Sequence, residues 1–210
     1  MLKVWIAGAG GQIGRALNDV LDPMQIEALN TDVDELDITD TDEVINFGTV
    51  NRPDVIINCA AVTDTDFCEK EPELAYRVNA LGARNLSIVA RKTGAKMVQI
   101  STDDVFDGIR HTPYTEFDDT NPKTVYGRSK RAGENYVKEF THKHFILRSN
   151  WVYGNGNNFV NRVLHAADTK DELLIASDQF GSPTSAKDLA RIILYLIKTN
   201  EYETYHATCQ

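Results

Sequence analysis

Tyr126 and Lys130 lie four residues apart in Val125-Tyr126-Gly127-Arg128-Ser129-Lys130, a spacing that puts both side chains on one face of a helix. A phenol with a reference pKa of about 10 is a poor proton source at neutral pH, and a nearby ammonium stabilises its phenolate, so the pair forms a tunable acid. Thr102 follows the apolar run Lys96 to Ile100. Its hydroxyl is placed to orient a carbonyl while Tyr126 protonates the oxygen and hydride arrives at carbon.

A second constellation opens the chain. Gly8-Ala9-Gly10-Gly11-Gln12-Ile13-Gly14 carries Gly8, Gly11 and Gly14 in a GxxGxxG pattern after a short apolar run. The first glycine allows a tight turn, the second lets the backbone approach a pyrophosphate and the third lets helix and strand pack closely. The backbone N–H groups around Gln12 and Ile13, at the positive end of the following helix, are suited to phosphate oxygens. Asn30-Thr31-Asp32 falls where a second strand ends, the position at which an acid favours NAD and an arginine favours the 2'-phosphate of NADP. Asn30 is a candidate for the ribose, Arg15 for a phosphate, and Asp37 with Ile38 for the adenine edge, with a helix cap as the competing role of Asp37. NADPH and NADH are both left open.

These groups need an alternating frame to hold them. Leu2 to Ala7, Gln25 to Leu29, Val55 to Ala60, Lys96 to Ile100 and Phe145 to Arg148 read as strands. Between them, helical spacing is expected from Ile13 to Leu21, Asp42 to Phe47, Glu73 to Lys92 (stopped at Gly94) and Val125 to Phe140. Strand and helix in alternation predict an α/β fold, an open doubly wound parallel sheet with helices on both faces. Beyond Trp151 the expected elements are a helix over Phe159 to Ala167, a strand over Glu172 to Ala176 and a helix through Leu189 to Ile197 capped by Ser185 with Asp188 three residues on. The division is residues 1–150 as a nucleotide-binding domain and 151–210 as a mixed segment that supplies a small, incomplete substrate lobe and a further core helix. Tyr205 to Gln210 reads as the start of a strand, so sequence is expected to continue beyond it.

The 210 residues include 22 Lys+Arg and 31 Asp+Glu, a formal charge of −9 without basic blocks; this argues against nucleic acid as a partner. The apolar runs are too short to span a bilayer, and the N-terminal run lacks the layout of a signal peptide, so no membrane role and a cytoplasmic location are expected. Cys59, Cys68 and Cys209 form no CxxC and read as buried thiols. The five histidines are scattered, and no metal site is expected. A homodimer is the default oligomer.

Several longer motifs run in order through nearly the whole chain. Beyond the glycine loop these are Arg52-Pro53-Asp54-Val55-Ile56-Ile57-Asn58-Cys59-Ala60-Ala61, Ser101-Thr102-Asp103-Asp104-Val105-Phe106-Asp107-Gly108, Tyr126-Gly127-Arg128-Ser129-Lys130, Trp151-Val152-Tyr153-Gly154 and Asp178-Gln179-Phe180-Gly181-Ser182-Pro183-Thr184. With them the chain resembles the extended short-chain dehydrogenases/reductases, with a Rossmann-like fold, and within them the dTDP-4-dehydrorhamnose reductases. The resemblance implies NAD(P)H-dependent reduction of the C4 keto group of a nucleotide-linked 6-deoxy-4-keto-hexose, most specifically dTDP-4-dehydro-β-L-rhamnose to dTDP-L-rhamnose in polysaccharide biosynthesis. It implies Thr102, Tyr126 and Lys130 as the catalytic set, with Lys130 also on the nicotinamide ribose. It places Ala60, Ala61 and Thr63 beside the cofactor and Asn79 on a helix behind the site. Thr63, Thr65, Asp103 and Trp151 would face the sugar.

The sequence departs from that family in two respects: Asp104 stands where tyrosine is usual, and the family normally runs some seventy residues further. Other functions implied by related proteins are a nucleotide-sugar epimerase or dehydratase, and a non-catalytic regulatory subunit similar to that of methionine adenosyltransferase.

Overall fold

A computed structural model describes residues 1–156, 158–170, 172–175 and 177–209. Its centre is a six-stranded, all-parallel sheet of β1 (Leu2–Ala7), β2 (Ile26–Thr31), β3 (Val55–Asn58), β4 (Lys96–Thr102), β5 (His144–Ser149) and, numbered after the two short strands below, β8 (Thr204–His206). The spatial order is β2-β1-β3-β4-β5-β8. The central strands are apolar on both faces, and their alternation feeds two layers. Val4, Ile6, Val55, Ile57, Val98, Phe145 and Leu147 point into one core with Leu17, Leu189 and Ile193. Trp5, Ile56, Met97 and Ile146 point into the other with Val44, Leu86, Val89 and Val137.

The first layer is covered by α1 (Gln12–Val20) and α8 (Ala186–Leu196). The second is covered by α2 (Thr41–Asn51), α5 (Ala83–Thr93) and α6 (Val125–Phe140). The expected α/β architecture is therefore present, with helices on both faces of the sheet.

Several boundaries differ from expectation. The helix expected from Glu73 to Lys92 is divided into α4 (Pro72–Tyr76), a π-helical turn over Arg77–Gly82, and α5. Apolar spacing is insensitive to the widened turn, because Val78 and Leu81 still recur at helical intervals. A short α3 (Thr65–Lys70), capped by the Asp64 carboxylate on the Phe67 N–H at 2.8 Å, lies where no apolar periodicity announced it. Helix α2 runs four residues past Phe47, to Asn51. No strand is formed over 172–175, and Ala176 lies outside the described residues; Leu174 and Ile175 are exposed, so those apolar residues have no sheet to join.

After β5 the chain makes β6 (Val152–Tyr153), α7 (Phe159–Thr169) and β7 (Thr184–Ser185), with β6 and β7 paired in a separate two-stranded ribbon. Ser185 caps α8, accepting the Asp188 N–H at 3.3 Å as its spacing predicted. Helix α8 packs on α1, and β8 extends the main sheet beside β5, so residues 186–206 belong physically to the nucleotide-type core. Among the described residues, no helix is long and apolar enough to cross a membrane.

Candidate active site

The carboxyl ends of β1, β3, β4 and β5 open into one broad cleft of about 2090 Å³. Strand order reverses between β1 and β3, the switch point at which parallel sheets leave a crevice for ligands. Gly11, Gln12, Ile13, Ala61, Thr63, Thr65, Thr102, Asp103, Tyr126, Lys130 and Trp151 all line it. Residues more than a hundred positions apart in sequence are brought together.

At one end, the loop after β1 crosses the start of the segment after β3. Gly8 adopts φ +77°, and a Cβ there would sit 2.6 Å from the Ala60 nitrogen, so only glycine makes this crossing without displacing backbone. The Gly8 and Ala9 N–H groups bond the Thr31 carbonyl at 2.9 and 3.1 Å, and the Asp32 carboxylate accepts the Gly10 N–H at 2.8 Å. Among the described residues, no side chain caps α1 at its Gly11 start, and its first turn has no acid. Its free N–H donors and positive end therefore remain available where the cleft begins, and the cradle fits the diphosphate of a dinucleotide.

At the other end, Thr102 terminates β4 and Tyr126 lies in the first turn of α6. Thr124 caps that helix, accepting the Gly127 N–H at 2.8 Å, and the Glu69 carboxylate accepts the Val125 N–H at 2.7 Å. Burial pushes the half-buried Tyr126 phenol above its ordinary value; a hydrogen bond with Thr102 opposes this, and the charges of Asp104, Asp103 and Cys68 add to it. Lys130 is buried, and its ammonium donates to the Ile100 carbonyl at 2.6 Å. Burial draws its pKa down to about 8 against the opposing charges of Glu134 and Cys59. The expected lowering of the phenol by Lys130 is thus corrected: desolvation dominates at both groups, and the phenol stays protonated at neutral pH.

Asp103 projects into the cleft with more than a third of its surface accessible. Enclosure by the walls, then the charge of Asp104, nevertheless raises its carboxyl to about 6, with the Thr102 hydroxyl opposing at 3.2 Å. Trp151 also lines the cleft, with its backbone at φ +38° and its ring 5.7 Å from that of Phe159. Cys59 lies at the cleft wall too, its thiol raised by burial to about 12 despite Lys130.

Several other expected site residues, Asn30, Asp37, Ile38, Ala60, Gly14 and Asn79, fall outside the cleft lining. Asn30 donates to Asn18 of α1 at 3.0 Å, away from the crevice. Asp37 accepts the Thr39 N–H at 2.8 Å in its own turn, and Ile38 is buried beneath Gly82. Ala60 lies under Gly8, and Gly14 is buried within α1. Asn79 is buried behind the cleft wall: it accepts the Val62 N–H at 2.8 Å and donates to Ser129 of α6 at 2.9 Å. Gln12 lines the cleft, but its amide is engaged with the Val152 carbonyl at 2.7 Å and with Asn158 at 3.0 Å.

The sequence reading missed a buried support. Glu134 of α6 accepts from Ser101 at 2.6 Å and from Arg148 through two bonds of 2.9 Å. Burial acts to raise the Glu134 carboxyl, but the bonds and charge of Arg148, then Ser101 and Arg131, hold it below the usual range. Ser101 and Arg148 are register partners on β4 and β5, a relation that no local spacing reveals.

With this geometry established, comparison with known proteins is specific. A family model described as the RmlD substrate binding domain matches residues 2–210. A protein named dTDP-4-dehydrorhamnose reductase from Aggregatibacter actinomycetemcomitans is 39% identical over 99% of this chain and 74% of its own length. A crystal structure titled as a dTDP-4-dehydrorhamnose reductase from Clostridium acetobutylicum matches with TM-score 0.97 and 47% identity, over 100% of this chain and 75% of that one. Another, of the enzyme of that name from Bacillus anthracis in complex with NADP, matches with TM-score 0.97 and 43% identity over the same shares. Over roughly three quarters of these relatives' length, then, backbone and sequence agree together, and this chain belongs to the RmlD substrate binding domain family.

Proposed function

We propose that this chain reduces the C4 keto group of dTDP-4-dehydro-β-L-rhamnose to the alcohol of dTDP-L-rhamnose, the activity named for its relatives. The single observation that carries the reading is the convergence of Thr102, Tyr126 and Lys130 on a cleft whose other end is the Gly8–Gly14 loop. A reduced nicotinamide dinucleotide, NADPH or NADH, supplies the hydride when bound. The residues fit to hold it are Gln12 and Ile13 through their backbone N–H groups at the start of α1, beside Gly11, whose own N–H bonds the Gly8 carbonyl, with Ala61 and Thr63 along the wall.

Thr102 and Tyr126 present two hydroxyls to the keto oxygen, orienting the carbonyl carbon toward the hydride donor. As the C4–H bond forms and the carbonyl π bond breaks, the pair of electrons moves onto oxygen, and the Tyr126 phenol gives it a proton. The phenol is protonated at neutral pH already at its ordinary value, and burial pushes it further up, so the developing negative charge on the substrate oxygen must draw the proton across. Lys130 supplies a buried amine within the same helix face, and Asp103, Thr65 and Trp151 are placed to contact the sugar. In this reading residues 1–150 bind the dinucleotide, while the segment 151–210 contributes Trp151 to the sugar side and helix α8 to the core.

The test is conversion of dTDP-4-dehydro-β-L-rhamnose with NADPH or NADH, followed by loss of reduced-cofactor absorbance. Net consumption separates a reductase from an epimerase or dehydratase, which restore their cofactor. Tyr126→Phe is expected to lower kcat by about 10²- to 10⁴-fold while cofactor still quenches protein fluorescence. Equal rates for the two proteins would defeat the assignment of the proton donor.

A further inference from the structure

The departure at Asp104 has a structural counterpart. Asp104 follows β4 as the second residue of a short 3-10 turn (Asp103–Val105) capped by Thr102. Its carboxylate accepts the Thr124 hydroxyl at 2.8 Å, and the same hydroxyl oxygen accepts the Gly127 N–H at 2.8 Å. Two charge-assisted or capping bonds in series thus join the end of β4 to the first turn of α6. The two elements also touch directly, since a Cβ on Gly127 would land on the Asp104 carbonyl oxygen. The Asp104 N–H closes the circuit by donating to Thr102 at 3.1 Å.

Tyr126 sits between Thr124 and Gly127, so the tether passes on both sides of it in sequence. We propose that Asp104 is a positioning residue for the reduction: through Thr124 it fixes the first turn of α6 and so holds the Tyr126 hydroxyl against Thr102. The inference rests on the reading of Tyr126 as proton donor. Asp104 does not act alone on the phenol's surroundings. Asp103 faces Tyr126 from the same turn and Cys68 from α3, Lys130 follows one turn on along α6 with its ammonium on the Ile100 carbonyl, and Glu69 of α3 holds the Val125 N–H. The Asp104 charge also favours the protonated phenol, so what the tether supplies to the reaction is place.

The experiment compares Asp104→Leu, Asp104→Asn and Thr124→Val with the parent protein, each checked for folding by thermal unfolding. Asp104→Leu removes the acceptor and the charge. It is expected to lower kcat about tenfold, with KM and cofactor affinity changed by no more than about twofold. Thr124→Val breaks the same link and should show the same split. Asp104→Asn keeps an acceptor oxygen without the charge, so it should recover most of that loss while the phenol titrates at lower pH.

The phenol is read without turnover by NMR of isotope-labelled tyrosine, with Tyr126→Phe identifying its signal. A parental kcat in Asp104→Leu, or a loss confined to KM, overturns the proposal. In a protein that reduces no keto-sugar, displacement of the Tyr126 signal in Asp104→Leu and Thr124→Val would uphold the tether while the reductase reading fails. An unmoved signal in both would overturn the tether itself.

Discussion

At the scale of single residues, the site is governed by what burial does to charge. Asp103 is raised to about 6, because the cleft walls and the Asp104 carboxylate both disfavour its ionised form. Only the ionised form offers acceptor oxygens alone to sugar hydroxyls. For the parent protein kcat/KM is therefore expected to fall as pH drops below about 6, the cited value. In Asp103→Asn that limb of the profile should disappear; persistence of the same inflection would assign it to another group. The phenol of Tyr126 contributes nothing in that range, since its shift is upward from an already alkaline value.

At the scale of elements, the glycine loop and helix α6 were legible because their information is local. Gly8, Gly11 and Gly14 are close in sequence, Tyr126 and Lys130 share one helix face, and Ser185 announces α8 through its own cap. Asn79 was legible only as a residue behind the site, because its role depends on a π-helical turn and on Val62 and Ser129. The bond from Asn30 to Asn18 on α1 was not legible, because strand-end position says nothing of side-chain direction. Glu134 and Arg148 were invisible because their meeting requires the registers of β4, β5 and α6 together.

The loop also makes its own prediction. Gly8→Ala must place a side chain at φ +77° against the Ala60 backbone, costing about 1–2 kcal/mol for the conformation alone. It is expected to weaken dinucleotide binding, measured by fluorescence titration, by at least about tenfold. Unchanged affinity would mean that the crossing of β1 and β3 does not shape that cradle.

At the scale of the whole molecule, one buried ion pair joins sheet and helix beneath the cleft. Ser101 on β4, Arg148 on β5 and Glu134 on α6 share it, and both charged side chains are almost wholly enclosed. Glu134→Gln would leave the Arg148 charge uncompensated, a loss of about 3–5 kcal/mol. In a chain of this size that corresponds to a melting temperature lower by roughly 6–20 °C, read by calorimetry.

The sign of the pH effect follows from the lowered Glu134 pKa. Its stabilisation is fully present above the unfolded carboxylate value of about 4.3 and is lost as pH falls through the folded value. The parent should lose melting temperature on acidification below about pH 4.3, and Glu134→Gln should lose less over the same interval.

The left-handed backbone of Trp151 carries a consequence for the balance between endurance and activity. A bulky residue at φ +38° is held against its own conformational preference. Glycine accepts that geometry freely, so Trp151→Gly would ease the chain while stripping an aromatic panel from the sugar side. A variant that melts no lower than the parent yet binds keto-sugar more weakly would show that the fold gives up comfort at this position to keep a surface for its ligand.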